Sequence, residues 1–549
     1  MLFQDSPIKS LLDAFPRIGK PGSRSAGLHR VSKEVWRGQD FRSTNYAEQN
    51  RFAVLRWLGL VGTLLIGLGG LGGGALPVVD NPWFSLPGGA LLGRMMQASS
   101  SIVLFGVGLL VSAWLCMGPF VGVSDQRPRV STPLLMRTFV AWVAPLLITA
   151  PLFTQDIYSY LANGAIVRFG LDPYSAGPVE LLGPEHHLAR SVPFIWAHSP
   201  SPYGPVALGI AAAISRITAD SIVLGVIAHR VVSLVGVLAA AWGIRKIAGR
   251  CGVPETAALW LGVLNPLTIL HLIGGIHNEA IMLGLVLVGF ELGLRGADRL
   301  RTISSAQAWG YLALSAITIT CGGLVKVTGF LGLGFIGMAI ARVLGQRQRK
   351  ATALSIAVLF QTVILIVTTA AVSLITSIGL GWVTGQGGAA SIRSWLSIST
   401  DVGVISGFLG MLLGLGDHID AVLIVTRGIG VAIAVAFLVR LLWATLRGAI
   451  HPAGGLGVAT LVLVIFFPVV HPWYPLWAIY PLAAWANRFF FRAGVAVYSA
   501  VFSFLVLPRG LGLQAKTVFT IYGVAACCFV VFVGLSFLLY RRFGAGRLH

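Results

Sequence analysis

Apolar runs long enough to cross a membrane recur along almost the whole chain, and most are closed off by a short basic cluster. A spanning helix takes about 20 mostly apolar residues to cross about 30 Å of hydrocarbon. In lipid its backbone polar groups must be satisfied within the segment itself. Fourteen stretches read as such spans: 52–77, 101–123, 134–153, 222–244, 256–274, 280–294, 308–325, 328–343, 351–377, 421–445, 455–470, 475–487, 494–508 and 517–540. Only 11% of the 549 residues are charged, against about 25% in a soluble domain. The expected fold is therefore all-α and polytopic. A basic tail (1–51) precedes one membrane domain (52–540), and a short tail (541–549) follows. Residues 1–51 are polar and basic, so no cleavable signal peptide is expected there.

Two further apolar stretches, 203–218 and 402–416, are short, and each runs into an acidic hinge at Asp220 or Asp417. The basic residues decide how to read them. With fourteen spans and both termini inside, 27 of the 40 Lys and Arg fall on the inner side and 8 on the outer. Promoting both short pieces to spans inverts residues 219–402 and leaves 19 inside and 16 outside. Cytoplasmic loops collect Lys and Arg, so the two pieces are expected to lie as interfacial or re-entrant helices at the outer surface. The same distribution accounts for the net charge of +21 without a nucleic-acid partner. The charges read as lying inside spans are arginines (Arg56, Arg137, Arg230, Arg427, Arg440), with no acids among them. That pattern disfavours a transporter, which needs a polar path through the bilayer.

Sorting residues by side puts the chemistry outside. Four outer segments concentrate polar and aromatic residues. The long segment 154–221 opens with Asp156-Ile-Tyr158-Ser-Tyr160 and continues through Leu-Asp172-Pro-Tyr and Pro-Tyr203-Gly-Pro. Asp156, just past a span, is either a general base for a hydroxyl or a residue capping the helix after it. The turn Gly-Gly-Ile-His277-Asn278-Glu279 brings three polar side chains together, either as a site or as a helix start. Lys326 has no acidic neighbour in sequence, so it is either a phosphate-binding cation or a lysine snorkelling to the headgroups. His471-Pro-Trp473-Tyr474-Pro-Leu-Trp477 offers either an aromatic belt or a stacking wall for a sugar, and Arg393-Ser-Trp395 is a weaker constellation of the same kind. No nucleotide-binding loop, zinc motif or serine hydrolase elbow is present. The five cysteines show no metal-like spacing, and no metal or other cofactor is expected.

Read together, Asp156–Tyr160, Leu171–Tyr174, Pro202–Pro205, Ala258–Gly262 through Gly274–Ala280, Arg393–Trp395, Gly414–His418 and His471–Tyr474 resemble the actinobacterial polyprenol-phosphomannose-dependent α-(1→6)-mannosyltransferases. Within that family the chain is most similar to the MptB type, and the likeness covers roughly residues 50–540. The resemblance implies a GT-C fold, with Asp156 as the catalytic base. It implies a donor of mannose β-linked to polyprenyl phosphate and a mannosylated phosphatidylinositol-type glycolipid acceptor, both met at the outer face of the plasma membrane. The product would be the α-(1→6)-mannan core of lipomannan and lipoarabinomannan. On the same footing the donor phosphate falls to Lys326, Arg393 and His277. Sugar and acceptor contacts fall to Tyr158, Asp172, Tyr203, Asn278, Glu279, His471, Trp473 and Tyr474. One departure stands out: the general GT-C pattern carries its acid after the first span, and Asp156 follows the third. Two alternatives remain, a GT-C enzyme taking another lipid-linked sugar such as arabinofuranose, or a lipid-linked sugar flippase.

Overall fold

The computed structural model describes residues 45–77, 79–123, 127–303, 305–385 and 393–544, and these are built from helices. The helices include α1 (Tyr46–Gly73), α2 (Met96–Met117), α3 (Thr132–Val143), α4 (Asp156–Arg168), the single turn α5 (Phe194–Ala197), α6 (Pro205–Thr218), α7 (Ile222–Cys251), α8 (Glu255–Gly262), α9 (Glu279–Thr302), α10 (Ala306–Gly323), α11 (Leu331–Leu344), α12 (Lys350–Thr376), α13 (Ile398–Leu412), α14 (Ile419–Arg447), α15 (Pro452–Phe466), α16 (Leu476–Trp485), α17 (Phe489–Phe502) and α18 (Ala515–Gly544). Each expected span contains a helix, and 256–274 is broken into two. Among the described residues, eight helices are long and apolar enough to cross a membrane, as a multi-pass membrane protein requires. At 1.5 Å per residue, α6 and α13 reach only about 21 Å, short of the hydrocarbon thickness. The same limit applies to α15, α16 and α17. The first described helix begins at Tyr46, capped by an Asn45–Glu48 box, six residues earlier than its apolar run suggested. Residues 1–44 and 545–549 of the expected tails lie outside the described residues.

Lipid gives no hydrophobic drive for one helix to join another, so close packing has to supply it. The pairs α1/α2 and α7/α9 achieve this through glycine. A Cβ on Gly62 would come within 2.7 Å of the Gly106 carbonyl, and one on Gly284 within 2.5 Å of the Gly236 carbonyl. Many large aliphatic side chains of α12, α14 and α18 instead face outward, Ile375 being 83% and Ile424 75% exposed.

Two buried charges shape the bundle. Glu291 lies inside α9 and is 2% exposed, which corrects the reading that the spans hold arginines alone. Packing of α7 on α9 brings Arg250 to it at 2.6 Å, and Arg295 one turn along reaches it at 2.7 Å. Arg230, in α7, is fully buried. It donates to five carbonyls, those of Leu147, Thr149, Ala150, Ile273 and Gly274. These are the orphan acceptors left where two helical segments end. One side chain thereby pins together the two stretches that lead into Asp156 and His277.

Candidate active site

Both stretches leave regular helix for local reasons. Pro266 lacks the N–H that a continuing helix needs. The chain stops α8 at Gly262, resumes as a π-helical turn over Thr268–Gly274, and ends at the Gly274-Gly275 pair. The following Ile276 sits at φ 60°, and Phe153, ahead of Asp156, at φ 67°. A β-branched or aromatic residue avoids that left-handed region, and holding one there costs about 1–3 kcal/mol. The tie from Leu152 N–H to the Gly274 carbonyl (3.1 Å) and the Arg230 clamp hold both residues in place.

These segments wall the polar end of a cavity of about 380 Å³. Asp156, Trp196, Tyr203, His277, Glu279, Lys326, His471, Trp473 and Tyr474 line that end. The other end is aliphatic, built from Leu331 of α11, Val431, Ala434, Val435 and Leu438 of α14, and Ala459, Leu463 and Phe466 of α15. A polar head joined to an apolar slot between helices suits an amphiphile with a polar group at one end.

The two acids of the head differ. Glu279 is 2% exposed and bound to Lys326 Nζ at 2.8 Å. Lys326 also meets the Tyr474 hydroxyl at 3.2 Å and lies over the Tyr474 and Trp477 rings. Burial alone would lower the lysine's pKa, but Glu279, with Tyr474 and Tyr203, more than offsets this and pushes it up. Lys326, which has no acidic neighbour in sequence, therefore finds its acidic partner 47 residues away. Asp156 pairs with no lysine or arginine among the described residues. Its Oδ1 accepts from the Trp196 indole at 2.9 Å, and its Oδ2 faces His277 Nδ1 at 3.7 Å. Burial holds the imidazoles of His277 and His471 below the usual histidine range, against the pull of nearby Glu279 and Asp156, with His471 down at about 4. Both are neutral at pH 7, and each carries one N–H donor.

Of the expected site residues, Asp156, Tyr203, His277, Glu279, Lys326, His471, Trp473 and Tyr474 converge on the cavity. Trp473 is 5% exposed and carries three stacked imidazoles, His277 at 4.0 Å, His471 at 4.7 Å and His271 at 4.8 Å. Its ring is covered by them instead of standing open to a sugar. Asn278 faces a smaller adjoining pocket with Tyr160, Asn163 and His229. The remaining three lie elsewhere. Tyr158 is fully buried, its hydroxyl donating to the Ala75 carbonyl. Asp172 is exposed and turns back on the Tyr174 amide, and Arg393 is half-exposed and paired with Asp420. The sequence reading did not single out Trp196 or the aliphatic walls. Trp196 lies in an irregular loop, and the aliphatic residues look like any lipid-facing helix surface.

A family model described as alpha-(1->6)-mannopyranosyltransferase, N-terminal domain, matches residues 56–342, and one described as the MptB C-terminal domain matches residues 399–534. The chain is 57% identical to alpha-(1->6)-mannopyranosyltransferase B of Corynebacterium glutamicum, over 99% of this chain and 94% of that protein. An alpha-(1->6)-mannopyranosyltransferase of Mycobacterium tuberculosis is 39% identical over 90% of this chain and 89% of its own length. The alpha-(1->6)-mannopyranosyltransferase A of the same organism is 33% identical over 82% and 83%. No solved structure matches.

Proposed function

This chain belongs to the α-(1→6)-mannopyranosyltransferase family and is a glycosyltransferase, and on that premise we propose how its site works. The donor is mannose β-linked to a polyprenyl phosphate, the acceptor a glycolipid ending in mannose with a free 6-hydroxyl, and the reaction runs at the outer face. The cavity is the observation that carries this reading. It offers one acid without a cationic partner beside one fixed cation, with an aliphatic slot leading away between α11, α14 and α15. A sugar phosphate fits the polar head, and an isoprenoid chain fits the slot.

Asp156 is the base. Glu279 is locked to Lys326 and fully buried, whereas the Asp156 carboxylate is partly exposed to the cavity and caps no amide of α4. It takes the proton of the acceptor 6-hydroxyl as that oxygen attacks C1 from the face opposite the phosphate. The O6–C1 bond forms, the C1–O–phosphate bond breaks, and polyprenyl phosphate leaves with the electron pair. C1 inverts from β to α. A single carboxylate suffices, because a phosphate ester leaves without the second acid that glycosidases require. Lys326 and the neutral imidazoles of His277 and His471 meet the charge growing on the departing phosphate. A GT-C arrangement is in keeping with the interfacial α6 ahead of the long α7, and three helices precede Asp156 as the span count expects.

The test is purified protein with radiolabelled polyprenyl phosphomannose and mannosyl acceptors, followed by linkage analysis. An α-(1→6)-linked product from this donor is expected. Transfer from a nucleotide sugar instead, or retention of the β configuration, would overturn the reading.

A further inference from the structure

Asp156 is the first residue of α4, where a carboxylate ordinarily folds back onto the free amides of the first turn. It does not do so here. Two of the local amides are engaged elsewhere, Asp156 N–H with the Thr154 hydroxyl and Tyr158 N–H with the Gln155 carbonyl. Among the described residues, the one side-chain hydrogen bond the carboxylate makes comes from another residue of the cavity lining, the Trp196 indole N–H at 2.9 Å.

We infer that Trp196 is a positioning residue for this base, its indole N–H occupying Oδ1 and leaving Oδ2, which faces His277 Nδ1 at 3.7 Å beyond hydrogen-bond distance, as the proton acceptor. The inference rests on the reading of Asp156 as the base. Trp196 is itself held still. The Pro193 carbonyl accepts from both Trp196 and Ala197, winding α5, and Ala197 is buried at 6% exposed. The next residue, His198, is packed against Gly177, where a Cβ would come within 2.5 Å of the histidine backbone, and is paired with Glu180. The anchoring therefore comes from Pro193, Ala197 and His198, and the indole itself is spent on the cavity wall and on Asp156. An indole N–H is a donor only, so this contact cannot take the proton Asp156 collects. It fixes direction without competing for the chemistry.

The experiment compares Trp196→Phe and Trp196→His in the full-length protein, alone and combined with Asp156→Asn. Phenylalanine keeps the ring and loses the donor. Misplacing a reacting group by about 1 Å lowers turnover on the order of 10²-fold, so Trp196→Phe is expected to lose about 10- to 100-fold in kcat. Its donor KM should move by less than about 3-fold, because the phosphate and lipid are held by other walls. Histidine restores a ring N–H and should recover part of the loss. On the Asp156→Asn background, Trp196→Phe should change nothing further, since the group it positions is gone. Wild-type kcat in Trp196→Phe, or an equal further loss on the Asp156→Asn background, would overturn the inference. Wild-type turnover in Asp156→Asn alone would instead remove the base reading beneath it.

Discussion

Replacing Lys326 separates its two tasks. The ammonium neutralises Glu279, which is 2% exposed, bonded at 2.8 Å through Oε1 and without a partner at Oε2. Lys326→Met alone strands that carboxylate, and breaking a buried pair from one side costs about 3–5 kcal/mol. The single variant should therefore unfold earlier on heating and lose activity, which says little about the donor. Lys326→Met combined with Glu279→Gln removes both charges. Replacing a whole buried pair by neutral groups is often neutral in stability, so the melting temperature should return close to wild type. Activity should not return. A charged hydrogen bond to a phosphate is worth about 1.5–3 kcal/mol, and at 1.4 kcal/mol per tenfold the donor KM should rise by about 10- to 100-fold. The assay is thermal unfolding in detergent beside donor kinetics at saturating acceptor. A stable double variant with wild-type donor KM and kcat would make Lys326 a counter-ion for Glu279 and nothing more.

Two other outcomes follow from the same geometry. On a background free of native cysteines, Glu185→Cys should react with an impermeant thiol reagent on intact cells and Arg301→Cys only after permeabilisation; the reverse pattern would put the site on the inner face. His471 is held down near 4 by burial, so its neutral form favours the folded state. Thermal stability should fall as pH drops from about 6.5 toward 4, where the folded protein also takes the proton. His471→Asn should flatten that slope, and an unchanged slope would remove His471 as its source.

Lipid makes some features of this protein readable one residue at a time. A stretch either can or cannot cross hydrocarbon, which is why each expected span contains a helix, and the turns between them that hold Asp156, His277, Lys326 and His471 meet at one cavity. Pairings across helices are of another kind. The packing of α9 against the turn ahead of α11 puts Glu279 against Lys326, and nothing near either residue announces it. Tyr158 sits two residues from Asp156 in sequence but on the other side of its helix turn, where the Ala75 carbonyl claims its hydroxyl. Asp172 and Arg393 have suitable chemistry, yet an Asx turn and Asp420 use it up. Trp196 is missed because a four-residue turn in a loop has no periodicity to mark it. The aliphatic part of the cavity is missed because its residues are apolar, like the outward-facing surfaces around them.

Asp156→Asn tests the account most directly. The substitution keeps shape and can still accept the Trp196 hydrogen bond through its amide oxygen, but it cannot take a proton. A positioned base contributes about 10²- to 10⁴-fold, so turnover should fall by at least 10²-fold in monodisperse protein while donor affinity stays near wild type. Turnover within a few-fold of wild type would contradict the assignment of Asp156 as the base.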